Sequence, residues 1–264
     1  MNILDKIIAH KREEVEIQKR NKSLDDLRRE PDYKITPLSL KQFLLDESKT
    51  GIIAEFKRKS PSKGIINDKA SVEDVTGAYA RLGASGISVL TDETFFGGSI
   101  NDLVRAGSNQ LPLLRKDFMV DEYQIIESKA YGASVILLIA ACLSKEKVRE
   151  LAKLAKGIGL EVLLEIHNEE ELDHICNEVD FVGVNNRDLK TFKVDINISL
   201  DLIDKIPTSK ISITESGISD IEKILTLKKA GFKGFLIGEN FMKHADPAIA
   251  FAAFVQQLKA NYEG

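Results

Sequence analysis

The chain has 264 residues, 43% hydrophobic and 30% charged, with a formal net charge of −4. That length suits two domains or a single α/β barrel of roughly 250 residues. The mild negative charge argues against nucleic acid as a partner, which is gripped through many Lys and Arg contacts to phosphate. An anionic ligand would have to be held by a local cluster of charge, not by the overall field.

The N-terminus, "MNILDKIIAHKREEVEIQKR", alternates charged and apolar residues and is neither a signal peptide nor a membrane span. Ile3, Ile7, Ile8 and Val15 fall near helical spacing, and "SLKQFLLDES" offers a second short helix. Residues 1–50 are therefore expected to form a helical extension, a lid or plug packed on the remainder of the chain, since no Gly/Ser-rich linker separates them. From residue 51 onward short apolar runs alternate with amphipathic ones. The strand candidates are "GIIAEFK", "GISVLT", "LPLLRKD", "SVILLIA", "LEVLLEI", "FVGVNN", "KISITES" and "GFLIGE". Between most of them lie helical patterns such as "SVEDVTGAYARLGA" and "SKEKVRELAKLAKGIG", and "DPAIAFAAFVQQLKANY" closes the chain with Asp246 as cap and Pro247 at the first helical position.

Strand, helix, strand at this spacing means parallel βαβ units with both sheet faces covered. Eight units predict a (β/α)8 barrel over residues 51–264, one domain together with its extension. A doubly wound open sheet is the alternative. It lacks a GxGxxG turn after the first strand and a composition break that would mark a second domain.

Cys142 and Cys176 have no CxxC spacing and read as reduced thiols of a cytoplasmic protein. The four histidines show no ligand pattern, so no metal is expected.

Barrel chemistry sits at the C-terminal ends of the strands. The first strand ends in Glu55 and Lys57, two apart and on one face; the third in Arg115-Lys116-Asp117; the fifth in Glu165. The sixth ends in Asn185-Asn186-Arg187, the seventh in Glu215-Ser216-Gly217 and the eighth in Gly238-Glu239. Each charge alone could be a solvated strand end. Together, crowded charges of both signs are how pKa values are tuned for acid–base work. The glycine turns after strands seven and eight, the first running into a capping box at Ser219-Asp220-Ile221-Glu222, are placed as this fold's recurring phosphate cradle. Arg58, Lys59 and Lys63 read as solvated loop charges, Asp117 as locally paired, His167 as a hydrogen-bonding neighbour of Glu165, and Phe118, Met119 and Phe241 as packing residues.

In this order along the strands, "AEFKRKSPSKG", "LTDETFFGGS", "LLRKDF", "LLEIH", "GVNNRDL", "TESGI" and "LIGENFM" resemble the indole-3-glycerol phosphate synthases of tryptophan biosynthesis. The resemblance spans essentially the whole chain, extension included. It implies a cofactor-free ring closure of 1-(2-carboxyphenylamino)-1-deoxyribulose 5-phosphate, with loss of CO2 and water. By position, Lys116 matches the family's general acid and Glu165 its general base. Lys57 would hold substrate anions and could share the acid role, while Glu55 would tune the lysines. Asn185 and Glu215 match contacts to the reacting sugar portion. Ser216, Gly217, Gly238 and Glu239 match the phosphate cradle, Glu239 through its backbone, with Arg187 ordering the rim. "SPS", Ser60 to Ser62, would sit near the substrate carboxylate, and Phe96 and Leu138 would offer apolar contact to the aromatic ring. A phosphorylated small molecule is the expected partner, with no nucleic acid and no membrane, and a monomer is expected.

The rival readings are a sugar-phosphate isomerase barrel, which would want an Asp or Cys acid–base pair on strands one and five, a flavin or PLP barrel, and a non-catalytic ligand-binding barrel.

Overall fold

The computed structural model describes residues 3–188 and 191–261. Leu189 of "GVNNRDL" and Tyr262 at the end of the last expected helix lie outside the described residues. Eight parallel strands are arranged in a ring: β1 Ile52–Phe56, β2 Gly86–Leu90, β3 Leu113–Lys116, β4 Val135–Ile139, β5 Glu161–Ile166, β6 Phe181–Asn185, β7 Ile211–Glu215 and β8 Gly234–Ile237. β8 pairs with β1, Ile52 opposite Phe235, which closes the barrel and removes the open-sheet alternative.

The strands are rich in Val, Ile and Leu because both faces are buried. Alternate residues separate into two cores. Ile52, Ala54, Ile87, Val89, Ile136, Leu138, Val162 and Leu164 pack outward with residues of the surrounding helices. Ile53, Leu114, Leu163 and Ile213 point inward and belong to a second cluster that fills the barrel. These four come from β1, β3, β5 and β7, the alternate-strand layer of an eightfold barrel.

Most connections are helices whose first turns are capped as their sequences suggest. Ser71 accepts from Asp74 N at the start of Val72–Arg81, and Ser144 from Lys147 N at the start of Lys145–Gly157. Asp246 caps Pro247–Ala260 as expected. The helix Ile221–Ala230 departs from expectation. Asp220, not Ser219, is its cap and accepts from Lys223 N, while Ser219 Oγ bonds the Asp220 carboxylate instead. Between β5 and β6 the link is a 3-10 stretch, Glu169–His174.

Residues 3–50 serve both ends of the barrel. Helix α1 (Ile3–Asn21) reaches the mouth, and helix α2 (Leu24–Arg29) descends the flank, where Val15 and Leu27 pack with Tyr123, Ile126 and Ala130 of the helix Glu122–Ala130. Helix α3 (Leu40–Leu45) then stops the floor. Leu40 and Leu44 join the inner cluster. Leu40 fits because Gly86 has no side chain: a Cβ there would come 2.7 Å from it, whereas one on Gly234 would press on Ile213 at 2.8 Å and only touch Leu44. The Glu161 carboxylate pins this plug, accepting from Ser39 Oγ at 2.6 Å and Leu40 N at 2.7 Å. No helix among the described residues is long and apolar enough to cross a membrane.

Candidate active site

Two residues beyond the apolar layer, the same four strands place Glu55, Lys116, Glu165 and Glu215 on the inner face, and all four line a cavity of about 500 Å³ at the barrel mouth. Lys116 Nζ lies 2.7 Å from Glu165 Oε2 and 2.7 Å from Glu215 Oε2. Burial works to discharge this lysine, but Glu165, Glu215 and Glu55 outweigh it and hold its pKa well above the ordinary lysine range.

The two carboxylates respond in opposite directions. Burial, reinforced by the charges of Glu165 and Glu55, raises Glu215 to about 7 despite Lys116. Burial also opposes ionisation of Glu165, yet Lys116 and His167 overcome it and hold this carboxyl well below its usual range. The triad therefore keeps its negative charge on Glu165 and takes its next proton on Glu215. Asn185 donates to Glu165 Oε1 at 3.1 Å. His167 Nε2 lies 3.3 Å from the same oxygen, with Nδ1 3.3 Å from Glu171. Burial favours neutral imidazole, but these two carboxylates raise His167 to about 10, so it faces Glu165 as a cation.

Lys57 follows Glu55 on the same face and donates to Glu55 Oε1 at 2.6 Å. Two glycines make room for the carboxylates. A Cβ on Gly183 would stand 2.5 Å from Glu215 Oε1, and one on Gly238 would stand 2.5 Å from Glu55 Oε1. Glu215 Oε1 is buried and has no hydrogen-bond partner. It faces the notch left by Gly183 rather than Lys116.

One flank of the cavity is formed by Ser216, Gly217, Gly238, Glu239 and Arg187. Ser216 and Gly217 both adopt left-handed backbone conformations, φ 68° and 76°. For the serine this is a strained turn of the kind concentrated at functional sites. Arg187 Nη2 holds Glu239 Oε2 at 3.2 Å. Lys63, on the hairpin Lys59–Ser60/Gly64–Ile65, lies 3.8 Å from Glu239 Oε1 and lines the cavity while 56% exposed. It is thus a rim charge of the site, not merely a solvated one. Lys243 also lines this flank and was not singled out from sequence.

The opposite wall is apolar. Phe96 lines it beside Phe118, ring centroids 6.0 Å apart, so Phe118 does more than pack. Ser60 lines the cavity, whereas Leu138 does not. Leu138 falls on the outward phase of β4 and is buried against the helices; its neighbours Leu137 and Ile139 take the inward phase and line the site. The strand's alternation sets this phase, and an uninterrupted apolar run such as "SVILLIA" hides it. Ile3, Leu4 and Ile7 of α1 close the mouth, a role that helical spacing alone could not assign to this end of the barrel.

Arg58 is not solvated. It pairs with Asp102 through two bonds of 2.5 and 3.0 Å and covers the Phe56 ring, since it follows the inward Lys57 and so faces outward. Lys59 donates to Thr94 O at 2.8 Å, tying the hairpin to the β2 loop. Met119 and Phe241 are buried packing residues. Cys142 and Cys176 are free thiols, and burial pushes Cys142 up to about 12. Among the described residues no group of three or more His, Cys, Asp and Glu side chains is arranged to hold a metal ion.

Fold and site together define a (β/α)8-barrel enzyme whose mouth carries a lysine–carboxylate centre beside a glycine-turn flank. The likeness to solved structures shows the same architecture: a tryptophan synthase alpha-subunit from Pyrococcus furiosus superposes with a TM-score of 0.62 at 16% identity, over 81% of this chain and 99% of that one. The family model for indole-3-glycerol phosphate synthase matches residues 4–254. The indole-3-glycerol phosphate synthase of Bacteroides thetaiotaomicron is 46% identical over 259 residues, 98% of this chain and 99% of its own. That of Variovorax paradoxus is 39% identical over 261 residues, 96% and 98%. The chain belongs to the indole-3-glycerol phosphate synthase family.

Proposed function

We propose that this chain carries out the indole-3-glycerol phosphate synthase reaction of tryptophan biosynthesis with Lys116, Glu165 and Lys57 as its working groups. The observation that carries the assignment of roles is the Lys116 ammonium held between Glu165 and Glu215 inside the mouth, with Lys57 on Glu55 beside it.

The substrate, 1-(2-carboxyphenylamino)-1-deoxyribulose 5-phosphate, closes its ring when the aromatic carbon bearing the carboxylate attacks the ribulose ketone. Negative charge grows on the ketone oxygen. A buried ammonium, kept charged by its neighbours, meets that charge and protonates it. The same carboxylates weaken Lys116 as an acid, and the developing oxyanion must compete with them for it. Loss of CO2 restores the aromatic ring. Dehydration then needs an acid for the departing hydroxyl and a base for the proton, and Glu165, held ionised, is the base. Lys116 and Lys57 between them supply the acids of the two steps. Glu55 tunes both lysines, while Asn185 orients Glu165 and, with Glu215, meets the sugar hydroxyls.

Ser216, Gly217, Gly238 and the backbone of Glu239 receive the phosphate, with Arg187 ordering that rim. Ser60 receives the substrate carboxylate, and Phe96 faces the aromatic ring. The extension and the barrel act as one domain, a monomer of the cytoplasm; the two free thiols fit that compartment. The test is indole fluorescence after mixing the protein with substrate, without added cofactor, beside Lys116→Ala and Glu165→Gln. A rise that collapses in both variants supports the roles. A folded protein that binds substrate and gives no rise overturns them.

A further inference from the structure

Lys11 of α1 is fully buried, although it carries a charge and sits on the N-terminal extension. Its Nζ lies 2.9 Å from Asp92 Oδ2, 3.1 Å from Asp117 Oδ1 and 3.0 Å from Glu14 Oε1. Breaking such a buried ion pair on one side leaves uncompensated buried charge, which is strongly destabilising. Packing alone gives no reason to place a lysine here.

The two strand-end carboxylates it bridges each hold one aromatic of the cavity wall by the backbone. Asp92 Oδ1 accepts from Phe95 N at 2.7 Å and Phe96 N at 3.3 Å, capping the short helix Glu93–Phe96. Asp117 Oδ1 accepts from Phe118 N at 2.8 Å. The other oxygen of Asp117 is fixed by Thr91 Oγ1 at 2.7 Å and Arg115 Nη2 at 3.2 Å, and Arg115 in turn pairs with Glu127. Asp117 also directly follows Lys116. One ammonium thus joins the anchors of Phe96 and Phe118, and it arrives on the helix whose Ile3, Leu4 and Ile7 close the mouth.

We infer that Lys11 is a positioning residue: through Asp92 and Asp117 it sets the spacing of the Phe96–Phe118 wall and docks α1 over the site, so that the aromatic half of the substrate is held in place for ring closure. The inference rests on the reading of that wall as the contact for the substrate's aromatic ring.

The experiment compares wild type, Lys11→Met, Lys11→Met/Asp92→Asn and Phe96→Ala by steady-state kinetics, with inorganic phosphate binding by calorimetry as a second readout. Lys11→Met should raise KM about tenfold, since misplacement of a positioning group by a fraction of an ångström is felt at this scale. Phosphate affinity should stay within twofold, because the cradle lies on the opposite flank. The double variant removes the Asp92 charge that Lys11→Met strands, Asp117 keeping Arg115, and recovers thermal stability while its KM stays raised. A KM that recovers together with stability would reduce Lys11 to a structural ion pair and overturn the inference. So would an unchanged KM in folded Lys11→Met, or an equal loss of phosphate binding. If Lys11→Met does not fold, the double variant is judged by the same KM and phosphate criteria. Phe96→Ala separates the two levels: an unchanged KM there sinks the aromatic-wall reading and the Lys11 inference with it, whereas a raised KM with Lys11→Met silent sinks the inference alone.

Discussion

Ile53, Leu114, Leu163 and Ile213 make one layer of the barrel; Glu55, Lys116, Glu165 and Glu215 make another, two residues further along the same four strands. The two layers are about 7 Å apart. The lower one packs with Leu40 and Leu44 of the plug in one apolar cluster. The upper one opens into the cavity, and its one ammonium, Lys116, lies between the carboxylates of Glu165 and Glu215. The difference shows how a single pleat step converts core into chemistry: strand geometry is shared, and what changes is whether the next layer is filled by side chain or by solvent and ligand. In both places even strands give up side chains, at Gly86 for Leu40 of the plug and at Gly183 and Gly238 for the carboxylates.

That contrast can be broken most sharply at Lys116 and Leu114, neighbours on β3. Lys116→Ala should lower kcat about a thousandfold, roughly 4 kcal/mol of transition-state stabilisation, while inorganic phosphate still binds in calorimetry. Retained turnover would move the acid elsewhere. Leu114→Ala should do the reverse, with about 3 kcal/mol lost in urea unfolding and no change in the pH dependence of kcat/KM. A shifted pH profile there would mean that the two layers are not independent. Gly183→Ala probes the notch between them. Its methyl would press on Glu215 Oε1 at 2.5 Å and on Leu163 at 3.0 Å. We expect kcat/KM to fall about a hundredfold, near 2.7 kcal/mol, by displacing Glu215 from Lys116. Full activity would show that the position of Glu215 is not critical.

The smallest effect concerns His167, raised from 6.5 to about 10 by Glu165 and Glu171. The folded state holds a proton that the unfolded state releases across that range, so stability falls as pH rises. The contribution is complete below pH 6.5 and gone once the pH passes the folded value, at a slope no steeper than about 1.4 kcal/mol per unit. The Tm advantage of wild type over His167→Gln should therefore shrink between pH 7.5 and 8.5. A constant difference would show that His167 is neutral throughout.

The charged layer was legible residue by residue, because polar groups at the ends of apolar strands stand out against their surroundings. Glu55, Lys57, Lys116, Glu165, Asn185 and Glu215 all line the cavity. Leu138 was misplaced by one residue because an all-apolar strand carries no signal of phase. Arg58 was misjudged because its partner Asp102 lies 44 positions away. Phe118 and Lys63 had no local feature to lift them above packing and loop charge.

By itself the sequence determined what short-range physics can encode: eight buried strands, most helix boundaries and caps, the identity of the residues at each strand end, and a family pattern in register along them. Tertiary structure alone decided which strand residues face inward together, where α1 and α3 would lie, and that a lysine at position 11 would meet two aspartates at positions 92 and 117. Those outcomes depend on barrel closure, which brings distant strand ends within hydrogen-bonding distance, and no local periodicity or propensity carries that information.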